Sequence, residues 1–231
     1  MPNGKTLGVI PARKGSKRLP GKNMLLLQGK PMIQWTIEAA LDSGSIDDVV
    51  VTSDDQSVLD LARSIGNVYV IERPADLASD AAKTSDVIVH TIRTLEQMGM
   101  MYETVCLLQA TSPLRACYHI DEAFSTYGSS NRCSVISVCE VDHPLAWSNE
   151  LDDCGAMSRF FENIESRNMR QDCKREYRIN GAIYISSLPE FIQSESFLHA
   201  DTRPYVMSRD RSVDIDDVND FLMAEILMSK N

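Results

Sequence analysis

The sequence predicts an α/β fold, a three-layer sandwich in which a mostly parallel sheet is covered by helices on both faces. Three observations predict it. Short apolar runs alternate with helix-period patterns through the first 140 residues. The first run, Thr6–Ala12, is apolar almost throughout, as a strand buried on both faces must be. Strand–helix alternation of this kind closes into parallel units.

The elements follow in order. Thr6–Ala12 is a buried strand that runs straight into the Gly-, Lys- and Arg-rich loop 13–23. Pro31 opens a helix on which Ile33, Ile37, Ala40 and Leu41 share a face, with Gly44 near its end. Asp48–Ser53 is a second strand and Gln56–Ile65 a helix. Val68–Ile71 is a third strand, and the stretch 73–83, rich in Pro, Asp and Ser, is a loop. A helix over Thr84–Met98 aligns Ile88, Ile92 and Leu95. Thr104–Gln109 is a strand, Ala110–Arg115 a turn, Tyr118–Tyr127 a helix and Ser134–Val141 a further strand. Residues 142–178 then break the pattern, with His143-Pro144, Trp147, Phe160-Phe161 and a polar, charged run from Glu162 to Arg178. They read as an excursion from the main sheet, a dimerisation arm within one domain spanning residues 1–231. Arg178–Ser186 returns as a strand, Leu188–Ser194 as a short helix and Tyr205–Ser208 as a short strand. Val218, Leu222 and Ile226 fall four apart on a last helix.

Composition narrows the function classes. Of 231 residues, 43% are apolar and 24% charged, ordinary for a soluble globular chain. No run of about 18 apolar residues is present, so no membrane helix is expected. The N-terminus lacks the apolar core and cleavage site of a secretory signal. Six cysteines show no C-x-x-C pair, and four histidines complete no zinc spacing with them. Free thiols in a reducing cytoplasm are the expectation. Residues 1–37 carry +7 and the remainder −17, for a net charge of −10. An acidic chain with one basic loop repels nucleic acid but suits a compact polyanion such as a nucleoside triphosphate. The loop also lacks the aromatic residues on which bases stack.

Ligands on such sheets bind beyond the carboxyl ends of the strands, so loops 13–23, 53–55, 73–85 and 109–115 hold the expected site. In Arg13-Lys14-Gly15-Ser16-Lys17-Arg18-Leu19-Pro20-Gly21-Lys22-Asn23, glycines let backbone N–H groups approach an anion and five cations neutralise it. It is neither a Walker A loop nor a G-x-G-x-x-G turn, because the spacing differs and Asn23 stands where Ser or Thr would be needed. The residues alone admit a phosphate cradle or a solvated basic loop. Asp214-Ile215-Asp216 is the second chemical feature. In an extended segment, residues i and i+2 share a face, so both carboxylates converge while Ile215 turns to the core. They suit a Mg²⁺ or Mn²⁺ site, or equally a helix N-cap with a solvated neighbour.

Ile10-Pro11-Ala12-Arg13-Lys14-Gly15-Ser16-Lys17-Arg18-Leu19-Pro20-Gly21-Lys22-Asn23 resembles the opening signature of the acylneuraminate cytidylyltransferases (CMP-sialic acid synthetases). Resembling segments follow in order at Arg73–Asp80, Leu108–Arg115, Arg170-Gln171, Asn180–Ile185 and Ser212–Asp216, across nearly the whole chain. The resemblance implies a Rossmann-like nucleotidyltransferase fold. It also implies transfer of CMP from CTP to the anomeric hydroxyl of a nine-carbon sialic-acid-type sugar, with release of pyrophosphate. By that resemblance Ala12, Arg13, Lys17, Lys22, Asn23, Arg73 and Thr84 bind the nucleotide, with Lys22 closest to the reacting phosphate. Arg13, Lys22, Asp214 and Asp216 are the implied catalytic group, the aspartates being the metal residues, with Asp214 either a metal ligand or a general base. Gln109, Arg170, Asn180, Tyr184 and Phe197 are the implied sugar contacts, Arg170 pairing the sugar carboxylate. Tyr184, Phe197 and Leu198 suit an N-acyl group, although core packing competes for all three. A homodimer in the cytoplasm is likewise implied.

Ala146 departs from the family pattern, because some sialic acid synthetases carry a sugar-contacting lysine after His-Pro-Leu. The sugar's identity is thereby left among sialic, legionaminic and pseudaminic acids. Two other readings compete. Arg18–Lys22 and Gly29–Ile33 also resemble the Kdo cytidylyltransferases. A catalytically silent nucleotide-binding protein on this fold would have lost charged site residues, whereas Arg13, Lys22, Asp214 and Asp216 are all present.

Overall fold

The structure, a computed structural model, describes residues 4–79, 81–129, 134–151, 153–157 and 175–230. Arg170, Cys133, Cys173 and residues 158–174 of the excursion lie outside the described residues.

The strands are β1 (Thr6–Ala12), β2 (Leu26–Leu27), β3 (Lys30–Pro31), β4 (Asp48–Ser53), β5 (Val68–Glu72), β6 (Thr104–Leu107), β7 (Val135–Glu140), β8 (Tyr177–Ser187) and β9 (Arg203–Val206). Seven of them form one sheet in the order β5-β4-β1-β6-β8-β7-β9, and β2 and β3 form a separate antiparallel ribbon. β8 alone runs against its neighbours β6 and β7; the other pairings in the sheet are parallel. The helices are α1 (Met32–Leu41), α2 (Gln56–Ile65), α3 (Thr84–Gln97), α4 (Cys117–Ser129), α5 (Leu188–Ser194) and α6 (Val218–Met228).

Alternation along β1 sets up the layers. Ile10 and Ala12 face a core that also takes Ile33, Ile37, Val58 and Phe124 from α1, α2 and α4. Leu7 and Val9 face the opposite core, filled by Ile88, Ile92 and Leu95 of α3 and by Leu188 and Phe191 of α5. Burying each such side chain contributes about 1.5–3 kcal/mol, so the helix stripes read from sequence are what hold the two outer layers to the sheet.

On α6, Val218, Leu222 and Ile226 are each about half exposed, and Ala224 packs instead with Ile215, Leu27, Met32 and Leu114, flanked by Phe221 and Leu227. Apolar residues surround this helix, so periodicity alone could not select the buried side. Asp217 fixes its start through a capping box with Asp220.

β8 carries an irregularity that matters for the site. Its pairing with β7 shifts between Ile136 and Val138, so Asn180–Ile183 bulge opposite Ser137. Bulges re-aim the chain beside functional sites. Here Ser137 Oγ donates to Asn180 Oδ1 at 2.6 Å, and Ile183 N donates back to that hydroxyl at 2.7 Å. Gly181, at the crest, has φ +80°, a left-handed conformation that favours glycine.

Candidate active site

A cleft of about 620 Å³ opens at the carboxyl ends of β1, β5 and β6. Its lining includes Ala12, Arg13, Lys17, Lys22, Asn23, Arg73, Thr84, Gln109, Asp214 and Asp216, all of which the sequence had singled out. β1 delivers the cationic loop, and parallel pairing with β4 and β6 brings the following loops to the same edge.

The loop is pinned rather than loose. Lys14 N donates to Asp54 Oδ1 at 2.8 Å, and Asn23 Nδ2 donates to Arg13 O at 3.0 Å, which closes the loop on itself. Gly21, at φ +67°, turns the chain into the short 3-10 helix Lys22–Met24. Asn23 is buried, so part of its hydrogen-bonding capacity is spent holding the cradle. Arg13, Lys17 and Arg18 stand exposed around the cleft.

Arg73 is buried at the end of β5, where its Nη2 donates to Thr52 O at 3.1 Å. Burial lowers its pKa, opposed by Asp54 and assisted by Arg13. Thr84 is the first residue of α3 and exposed, so the positive end of a 14-residue helix faces the cleft.

The opposite wall is the segment before α6. Ile215 N donates to Thr111 O at 2.8 Å and its side chain is fully buried, which turns both flanking carboxylates to the cleft. Asp214 is half-buried, and burial raises its pKa while a hydrogen bond from the Thr111 side chain opposes the rise. Asp216 is more exposed and pairs with Lys22 Nζ at 3.1 Å and Arg18 Nη1 at 3.2 Å. Lys22 Nζ also donates to Ile215 O at 2.8 Å. The two carboxylates fit a hard divalent cation such as Mg²⁺, which takes one or two carboxylates and fills its remaining positions with water and phosphate oxygens. No cluster of three or more metal-ligating side chains occurs among the described residues.

The sugar-binding expectations fare differently. Gln109 lines the cleft. Asn180 does not: it is 1% exposed, and its Nδ2 donates to Ser212 Oγ at 2.9 Å while its Oδ1 accepts from Ser137 and from Ala182 N. The β8 bulge directs that amide inward, where it ties β7 and β8 to the segment leading to Asp214. Phe197 is buried against Phe191 and Tyr184, with ring centroids 4.6 and 5.7 Å away, so core packing has claimed it. Tyr184 packs on the same cluster but lies near enough to Asp214 for the carboxylate to raise its pKa, after burial. Leu198 is exposed. Arg170 lies outside the described residues.

Sequence reasoning missed three residues here. Thr111 bonds Asp214, and Gly181 lies beneath Gln109 and Asp214, so that a Cβ there would fall 2.9 Å from Gln109 Oε1 and 3.5 Å from Asp214 Oδ2. The Asn-Gly pair inside a strand pattern was the available signal for a bulge. Arg115, at the end of the same turn, is fully buried, and no local pattern announces that.

A cationic loop on the carboxyl edge of a parallel sheet, beside two carboxylates, has the make-up of a nucleotide-handling site. The comparisons narrow the class: the profile of the cytidylyltransferase family matches residues 7–212, and the chain belongs to that family. It is 35% identical over 230 residues to the CMP-N,N'-diacetyllegionaminic acid synthase of Legionella pneumophila, with 97% of each chain covered. It is 36% identical over 227 residues to the N-acylneuraminate cytidylyltransferase of Escherichia coli, covering 98% of this chain and 52% of that one. The chain therefore spans nearly all of the first relative and about half of the second. Among solved structures, CMP:2-keto-3-deoxy-manno-octonic acid synthetase complexed with CTP superposes with a TM-score of 0.72 at 20% identity, covering 98% and 99% of the chains, a likeness of fold.

Proposed function

We propose that the chain transfers CMP from CTP to the anomeric C2 hydroxyl of a nine-carbon sialic-acid-type sugar, releasing pyrophosphate. The observation that carries this reading is the pairing of Lys22 with Asp216, beside Asp214, in one cleft that also holds Gln109. The hydroxyl oxygen forms a bond to the α-phosphorus as the bond to the pyrophosphate oxygen breaks, and the hydroxyl proton passes to a carboxylate of the site or to water as pyrophosphate leaves. Such a transfer needs charge neutralisation and in-line placement more than covalent catalysis. Arg13, Lys17 and Lys22 hold the triphosphate, Lys22 nearest the reacting phosphorus. Arg73, Thr84, Ala12 and Asn23 frame the nucleoside. Asp214 and Asp216 hold Mg²⁺ or Mn²⁺, which when bound offsets charge at the α-phosphate.

Gln109 faces the sugar hydroxyls and Arg170 pairs its carboxylate. Relatives named for N-acylneuraminate, for N,N'-diacetyllegionaminic acid and for pseudaminic acid match at 36%, 35% and 31% identity, which keeps all three sugars as candidate acceptors. The exposed apolar residues Leu145, Trp147, Leu151, Met157 and Tyr177 belong to the excursion and suit contact with a second copy of the chain, as a cytoplasmic homodimer.

Pyrophosphate release from CTP and Mg²⁺, measured against N-acetylneuraminic, legionaminic, pseudaminic and Kdo acids with mass spectrometry of the products, tests the reading. A CMP-sugar from a nonulosonic acid is expected. Turnover of Kdo alone would move the chain to the other branch, and CTP binding with no turnover would make it a silent binding protein.

A further inference from the structure

Arg115 is 2% exposed and lies under the floor of the cleft. Its Nη1 donates to Ala182 O at 2.9 Å and to Gln109 O at 3.3 Å. Its Nε and Nη2 have no hydrogen-bond partner, and it forms no ion pair, among the described residues. The neighbours that act on its charge are not carboxylates. Cys106 is fully buried, its thiol pushed up to about 12 by burial. His119 accepts a hydrogen bond from Ala116 N at 3.0 Å and is pushed down to about 4 by burial and the cations around it, so it too is neutral at neutral pH.

A buried cation without a counter-charge is a poor device for stability, because its desolvation goes uncompensated. What Arg115 does join is informative. Gln109 belongs to the turn after β6, which also carries Thr111, the hydrogen-bond partner of Asp214. Ala182 belongs to the β8 bulge, whose crest Gly181 lies against both Gln109 Oε1 and Asp214 Oδ2. One guanidinium nitrogen thus ties the two backbone stretches that set the spacing of Gln109, Gly181 and Asp214.

We propose that Arg115 is a positioning residue for the acceptor half of the reaction: it clamps the Gln109–Thr111 turn to the β8 bulge so that Gln109 and Asp214 converge over Gly181. This rests on the reading of Gln109 as the sugar-side contact given above. The nucleotide cradle of loop 13–23 shares no hydrogen bond with Arg115, so the two substrates respond differently when the clamp is lost.

The test compares wild type with Arg115→Met, which keeps bulk and removes the charge, Arg115→Lys, and Gly181→Ala, which forces a side chain onto Gln109. For Arg115→Met, the acceptor KM rises by about tenfold or more, while CTP affinity by calorimetry changes by less than about twofold. The melting temperature is held or raised, as replacement of a buried charge allows. Arg115→Lys restores part of the acceptor KM, and Gly181→Ala reproduces the acceptor defect. Backbone hydrogen exchange gives a readout without substrate: amides of 109–112 and 180–183 exchange faster in Arg115→Met, while β4 and β5 do not change. A folded Arg115→Met with unchanged acceptor KM and unchanged exchange overturns the proposal, as does an equal loss of CTP affinity or exchange accelerated across the whole sheet. If wild type turns over no sugar, the functional reading fails, and the exchange comparison still decides whether the clamp exists.

Discussion

Lys22 Nζ lies 3.1 Å from Asp216 Oδ1 and 2.8 Å from Ile215 O, although 194 and 193 residues of chain separate them. The contact closes the cationic loop near one end of the chain against the carboxylate pair near the other. The Lys22 side chain is 13% exposed and that of Asp216 55%, so the pair is half in water and contributes little to stability. What it fixes is placement: it holds a cation and a carboxylate side by side at the mouth of the cleft.

Replacing either residue should therefore separate activity from folding. Lys22→Ala and Asp216→Ala are each expected to lower kcat/KM by about 10²-fold or more, the scale of a lost transition-state contact. The melting temperature should stay within a few degrees of wild type. Steady-state kinetics beside thermal melts checks this, and full activity in either variant removes that residue from the mechanism.

Asn180 should behave in the opposite way. Its amide satisfies Ser137, Ser212 and Ala182 N in a buried network. Asn180→Ala leaves several of these groups unpaired and is expected to cost about 2–3 kcal/mol of stability in urea unfolding. A variant of unchanged stability with a raised sugar KM would return Asn180 to the sugar site.

The pH dependence of stability should carry a histidine signature. Burial, Arg211 and Arg115 hold His119 near 4, below its unfolded value of 6.5. As pH falls below 6.5 the unfolded chain takes up a proton that the native chain refuses, so stability drops until about pH 4. The drop is on the order of 3 kcal/mol. His119→Asn, which keeps an acceptor for Ala116 N, should flatten that part of the profile in melts from pH 7 to 4.

Asp214 gives a prediction of the other sign. Burial raises its carboxyl pKa, so holding it ionised above that value costs stability, and protonation relieves the cost as pH falls through it. Asp214→Asn should be at least as stable as wild type at pH 7, with the difference shrinking toward pH 4, and should have lost turnover. A variant less stable than wild type at pH 7 would mean that the carboxylate's hydrogen bond outweighs its desolvation.

Removal of divalent cations by EDTA should abolish pyrophosphate release and leave the melting temperature unchanged, because no metal cluster holds the described core together. Added Mg²⁺ should restore turnover. Persistent activity in EDTA would exclude a metal role for Asp214 and Asp216.

Much of this protein is local. Thr6–Ala12, Asp48–Ser53, Gln56–Ile65 and Leu188–Ser194 fall where apolar period and flanking residues place them, because strand and helix periods act within a few residues. The cationic loop, its position after β1 and the alternation of Asp214, Ile215 and Asp216 were legible for the same reason. What the sequence by itself could not determine depends on which distant surfaces meet. The reversed direction of β8, the bulge that turns Asn180 inward and presents Gly181, and the burial of Arg115 are pairings between residues far apart in the chain. The buried side of α6 was likewise decided by the cluster around Ile215, since a helix apolar on every side has no face of its own to bury. Local patterns specify the elements and the charges they carry. The cleft forms only when packing brings both ends of the chain to one edge of the sheet.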